Sequence, residues 1–241
     1  THLANPYNEQ PTTDNLHDKA ARAFGGDNRT LILTRPTEWA MYAQRADLID
    51  TPALQALLAV AQSPQAEKFD VLFQYVVDDF NTPEHIHNLT EPGPRILVQL
   101  MLQTHRYDDV IEMLENYQTN IFGTERQTEF SALAGDVFRL SALDANEMEE
   151  ALSYLEGSKI RPEPRCKIYC GALMNRGWNT DCDFAATNLT NMVFQDQHLM
   201  VALGQENALA LLDYHKRTKD GINALRVAAA LVQYSTHLDR E

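Results

Sequence analysis

Cys166 and Cys170 stand four residues apart in the stretch PEPRCKIYCGAL, and a third cysteine, Cys182, follows. Two thiols at that spacing could hold a metal, form a disulfide or pack. A zinc site calls for about four ligands converging tetrahedrally, and Cys182 and His198 are the nearby residues able to add to one. A disulfide between i and i+4 on a regular helix meets a geometric obstacle, because the Cβ atoms lie about 6 Å apart against the roughly 3.8 Å required. Cys166, Tyr169, Cys170 and Leu173 fall at i, i+3, i+4 and i+7, and a buried thiol behaves as a small apolar group. Packing is therefore the first expectation, with metal binding and redox chemistry as the alternatives.

The other chemistry-bearing groups are weaker. His85-Ile86-His87, with Glu84 and the pair Asp78-Asp79 just before it, is the best further metal candidate. Two imidazoles after Pro83 could converge, but no third ligand is specified, and solvated histidines in a loop are expected. Gly25-Gly26 lacks the lysine and serine that a phosphate-cradling loop needs, and it follows a helical pattern rather than a strand. Asp144, Glu147, Glu149 and Glu150 make an acidic face, not two opposed carboxylates, and no Gly-x-Ser-x-Gly occurs. The sequence thus assigns no catalytic residue, no cofactor and no metal, and catalysis is not expected.

What would position such residues follows from composition and period. The chain holds 34 acidic and 20 basic residues for a net charge of −14. Its mean field repels nucleic-acid backbones and favours partners with basic surfaces. Three cysteines cannot all pair within one chain, and a chain of 241 residues does not need disulfide staples, so a reducing compartment is expected. The sequons at Asn28, Asn88 and Asn188 point mildly the other way. No apolar run approaches the roughly 18 residues of a membrane span; Ile96 to Leu102 is the densest and is too short, so no membrane insertion is expected. The sequence begins at Thr1, as a trimmed chain or one that has lost a targeting peptide would.

The period is helical nearly everywhere. After Thr51-Pro52, which reads as an N-cap and N1 proline, Leu54, Leu57, Leu58 and Ala61 share one face. Beyond a break at Ser63-Pro64, Phe69, Leu72, Phe73, Val76, Val77 and Phe80 form the next stripe, so the two helices should pair antiparallel. Ile96 to Leu102 is apolar on almost every side and should be covered by several neighbours. Stripes follow at Tyr107–Tyr117, Phe130–Phe138, Met148–Leu155 and, around a Gly204 turn, Leu203–Leu212. The last helix, Ile222 to Tyr234, is apolar on most faces; since the end of a helical array needs a polar cap, a partner or further chain should cover it. Leu31-Ile32-Leu33 is the single strand candidate. The expected fold is all-α, with antiparallel helix pairs stacked as an irregular α-solenoid. The organisation is an extended polar arm over 1–15, an N-terminal helical region over 16–90 and a helical-repeat region over 91–241.

Two surfaces are candidates for partners. Asp108, Asp109, Glu112, Glu147, Glu149 and Glu150 would form a docking face for a basic protein. Lys216, Arg217 and Lys219, in the cluster His215-Lys216-Arg217-Thr218-Lys219, are placed in an inter-helix loop and offer a minor nucleic-acid contact. The alternative for them is a solvated turn whose charge suits a helix C-terminus.

Ile121 and Ile160 open similar links, and Ile160-Arg161-Pro162-Glu163 together with Glu149-Glu150-Ala151-Leu152 resembles the link and second helix of a pentatricopeptide repeat. Tetratricopeptide repeats share much of the pattern. Over roughly residues 94 to 217 the layout is similar to pentatricopeptide-type members of the mitochondrial small ribosomal subunit. That resemblance implies residence in the mitochondrial matrix and a non-catalytic scaffold role in a large assembly, the small ribosomal subunit first. An accessory subunit of a respiratory or ATP synthase complex, or an RNA-processing factor, are the alternatives. Ser131 and Cys170, beside Phe130 and Tyr169, depart from the side chains with which such repeats read bases.

Overall fold

The computed structural model describes residues 51–64, 66–80, 89, 91–121, 123–179 and 181–238, together with residue 33. Among them every regular element is a helix, so the chain is all-α. Leu33, the one described residue of the strand candidate, is helical. The chain divides after His105 into two units.

In the first unit, α1 (Thr51–Ala61) leads through a short 3-10 turn (Ala66–Phe69) into α2 (Asp70–Phe80), and α3 (Gly93–Gln103) follows. Leu54, Leu57, Val60 and Ala61 of α1 are buried, as are Phe69, Leu72, Phe73, Val76 and Val77, while Val71 faces away from that stripe and is open to water. The break at Ser63-Pro64 predicts α2 as the partner of α1, yet the helix lying along α1 is α3. The physical reason is composition. Every apolar residue from Ile96 to Leu102 is buried, and a helix with no polar side must be covered from several directions.

The second unit holds α4 (Tyr107–Ile121), α5 (Gln127–Asp136), α6 (Ala145–Ser153), α7 (Pro162–Asn175), α8 (Asp183–Gln195), α9 (Leu199–Leu203), α10 (Gln205–Arg217) and α11 (Gly221–Leu238). Local chemistry sets their ends. Asp144 caps α6 by accepting from the backbone N–H groups of Asn146 at 2.8 Å and Glu147 at 3.0 Å, while Glu147 accepts from the Asp144 N–H at 2.8 Å. This is a reciprocal capping box. Helix α10 stops with Lys219 at φ +61°. The Asp220 N–H then reaches the His215 carbonyl at 2.9 Å and the Lys219 N–H that of Lys216 at 3.3 Å, the paired bonds of a left-handed helix stop.

Packing within this unit joins consecutive helices and helices further apart in sequence. Helix α4 lies against α5 and α6, α5 against α7, α6 against α8, α7 against α8 and α9, and α8 against α11, which also pairs with α10. The α5–α7 approach is close because α7 presents glycine to the α5 backbone: a Cβ on Gly171 would stand 2.5 Å from the Gly135 carbonyl oxygen. The links are pinned as well. Glu115 and Gln118 of α4 accept from the backbone N–H groups of Lys159 at 2.5 Å and Arg161 at 2.9 Å, which holds the segment leading into α7. At the other end of α7 the Asn175 amide donates to the carbonyls of Arg139 at 3.1 Å and Ser141 at 2.8 Å.

Candidate functional site

The acidic candidates come from two helices that the fold brings together, α4 and α6. Tyr107, at the start of α4, is buried, and burial followed by the charges of Glu147, Glu150 and Asp144 pushes its hydroxyl up to about 12. Those α6 carboxylates therefore lie within electrostatic reach of the turn that carries Asp108 and Asp109. Asp108, Glu112, Glu149 and Glu150 are exposed. The other two have local work. Asp109 is half-buried and lies 3.7 Å from Arg106, and Glu147, also half-buried, closes the α6 cap. These carboxylates concentrate negative charge where α4 meets α6.

The basic candidates occupy the last turn of α10 and its stop rather than a free loop. Lys216 pairs with Asp213 at 3.4 Å, Arg217 donates to the Trp178 carbonyl at 2.8 Å, and Lys219 holds the left-handed turn position. His215 corrects the sequence expectation most sharply: it is 1% exposed. It continues the stripe Ala208, Leu211, His215 at helical spacing, a signal legible in the sequence but masked by its cationic neighbours.

Inside, His215 Nε2 lies 2.8 Å from Thr190 Oγ1 on α8, and its Nδ1 lies 3.6 Å from an Asp220 carboxylate oxygen. Hydroxyl, imidazole and carboxylate thus follow one another in the order a nucleophilic relay uses. Thr190 is 0% exposed, so the hydroxyl lies inside the fold. The arrangement ties α8 to α10 and to the turn that starts α11. Burial lowers the His215 pKa, with Asp220 and Asp183 pulling the other way. Asp220 is held below the usual carboxylate range, first by the backbone N–H of Asn223.

The three thiols are free and buried. Cys166, Tyr169, Cys170 and Leu173 all lie inside, on one stripe of α7. Burial pushes the thiols of Cys166, Cys170 and Cys182 up to about 12, 11 and 12. A nucleophilic or metal-binding cysteine needs the thiolate, so burial works against both. Among the described residues no three His, Cys, Asp or Glu side chains gather as a metal-ligand set. Glu84, His85 and His87 lie outside the described residues, as do Gly25, Gly26, Asn28, Asn88 and the arm over 1–15. Asn188 sits within α8, where its amide donates to the Phe184 carbonyl at 3.1 Å.

One feature escapes sequence reasoning. A cleft of about 440 Å³ opens between the C-terminal end of α4, the start of α5 and the first turn of α7. Ile121 and Phe130 line it, with Gln118 and Ser131 beside them and Arg161 and Glu163 on α7's side. Lys167 donates to the Ser131 hydroxyl and lies 3.3 Å from Glu163. Its size is in the range of small-ligand pockets, yet both signs of charge line it. The residues are ordinary in sequence, and the cleft exists because α7 leans on α5.

No protein-family model matches the chain, and neither a curated protein nor a solved structure does. Among the described residues no helix is long and apolar enough to cross a membrane.

Proposed function

We propose that the second unit is an irregular α-solenoid acting as a non-catalytic scaffold, docking a protein of basic surface on the acidic face of α4 and α6. The observation that carries this reading is that helices pack on their sequence neighbours and on the next but one, α4 on α5 and α6, α5 on α7, and α7 on α8 and α9. Stacking of successive helix pairs makes each unit contact its neighbours and presents one continuous outer surface. The exposed carboxylates of Asp108, Glu112, Glu149 and Glu150 support the choice of partner, and so does the chain's charge of −14. Burial of the thiols and of His215 supports the absence of chemistry from the role.

The resemblance to pentatricopeptide proteins directs this scaffold to a mitochondrial matrix assembly, with the small ribosomal subunit as the first particle to examine. The test is co-sedimentation of the native protein from organelle extract on a gradient, beside a variant carrying Asp108→Lys, Glu112→Lys, Glu149→Lys and Glu150→Lys. The wild-type protein should travel with the small-subunit particle and be released by salt, and the variant should stay at the top. Saturable turnover of any substrate by the purified chain, or co-migration undisturbed by the charge reversal, would sink the proposal.

A further inference from the structure

The cleft between the end of α4, the start of α5 and the first turn of α7 has an apolar floor and charged walls. Ile121 and Phe130 form the floor, and Phe130 stands edge-on to Tyr117 with ring centroids 5.8 Å apart. Glu125 lines the cleft from the link into α5, and Arg161 lines it from the residue that precedes α7; both are exposed. Glu163 lines it too, but Lys167 answers its charge at 3.3 Å. With that pair set aside, the lining carries one carboxylate and one guanidinium. A buried polar group joins them. Gln118 is 8% exposed; its Oε1 accepts from the Arg161 N–H at 2.9 Å, and its amide donates to the Lys159 carbonyl at 3.4 Å. A carboxamide carries two N–H donors, so a second one is left for an acceptor in the cleft.

We propose that this cleft binds a free α-amino acid with an apolar side chain. The ligand's carboxylate lies toward Arg161 and Gln118, its ammonium toward Glu125, and its side chain over Ile121 and Phe130. The lining charges select the zwitterion. An anion without an ammonium leaves Glu125 unanswered and repelled, and a cation without a carboxylate does the same to Arg161. A guanidinium grips a carboxylate with paired N–H donors, and the spare donor of Gln118 reaches the same group. The volume of about 440 Å³ is that of a small-molecule site, and the apolar floor rewards a side chain such as that of leucine or phenylalanine. None of Asp108, Glu112, Glu149 and Glu150 lines the cleft, so this site and the acidic docking face can fail separately.

The probe is L-phenylalanine, titrated into the full chain at neutral pH and read by calorimetry. Saturable binding with a Kd of about 1 mM or tighter is expected for a ligand of this size. Phenylpropionate lacks the ammonium, phenethylamine lacks the carboxylate and N-acetylphenylalanine amide lacks both charges; each should bind at least tenfold more weakly. Glu125→Gln and Arg161→Gln, both at exposed positions, should each weaken phenylalanine at least tenfold, with the circular dichroism and the thermal midpoint of the free chain unchanged. Absence of saturable binding, a single-charge analogue that binds as well as phenylalanine, or a loss short of tenfold in either variant overturns the proposal. So does equal or tighter binding of N-acetylphenylalanine amide, which gives the cleft to a peptide chain.

Discussion

Where α5 meets α7, the backbones come so close that a Cβ on Gly171 would stand 2.5 Å from the Gly135 carbonyl oxygen. On the outer side of α11, Leu225 leaves 73% of its surface in water. Both are apolar helix faces of one unit, built from small and aliphatic residues. One is covered by another helix of the chain, and the other is left exposed among the described residues. The difference shows that the helical period says which residues want cover, while only the packing of helices far apart in sequence says which of them receive it.

The largest expected effect comes from forcing the closed contact apart. Gly171→Ala places a methyl against backbone, which cannot rotate out of the way, and overpacking of this kind costs about 3 kcal/mol. Gly135→Ala, on the facing helix, meets nothing within 4 Å and removes an entropic penalty, so it should gain up to about 1 kcal/mol. Denaturant titration of the two variants measures this asymmetry. Equal effects of the same sign would mean that α7 does not approach the α5 backbone at Gly171.

Much of the closed half was legible beforehand. The stripes Phe130 to Phe138 and Cys166 to Leu173 follow from spacing alone, and all of their named residues are buried. The acidic face was legible as composition, but Glu147 and Asp109 were not, because a capping box and an ion pair with Arg106 draw them into local structure. The Gly135–Gly171 contact, the cleft at Ile121 and Phe130, and the Thr190–His215 bond share one reason for being hidden. Each joins residues on different helices, and no period within a single helix encodes a partner on another one. Only the outward stripe of α11 declared itself, since two apolar sides on one helix need two neighbours.

A second effect tests the closed side through its polar pair. Thr190→Val keeps the shape and removes the hydroxyl, leaving His215 Nε2 buried without its 2.8 Å partner. An orphaned buried group costs about 1–2 kcal/mol, to be read in the same titration. The same site gives a pH dependence of smaller size. Burial depresses the folded-state pKa of His215, so below about 6.5, the ordinary histidine value, the unfolded chain takes up a proton that the folded chain does not. Its contribution to stability is therefore full above that pH and declines as pH falls through it. Asp183, Asp220 and Tyr214 are the titratable groups around it. The Asp220 carboxyl, itself depressed, makes its contribution above its own ordinary value near 4, a separate window. Stability measured from pH 7.5 to 5 should fall, and His215→Gln should flatten the part of the slope nearest pH 6. A slope unchanged by that substitution would assign the pH dependence to other groups.

The smallest expected effect lies on the open side, and its smallness is what matters. Leu225→Glu exchanges a side chain that is 73% exposed, so little burial is lost, and surface changes of this kind stay within about 0.5 kcal/mol. Ile222→Glu, 70% exposed, should behave alike, because water already surrounds both positions in the free chain. A loss above about 1.5 kcal/mol would exceed what exposed positions show. It would mean that the stripe is already covered in the isolated chain, and the contrast with the α5–α7 contact would then vanish. A loss inside the smaller bound keeps the face open and the contrast with the α5–α7 contact intact.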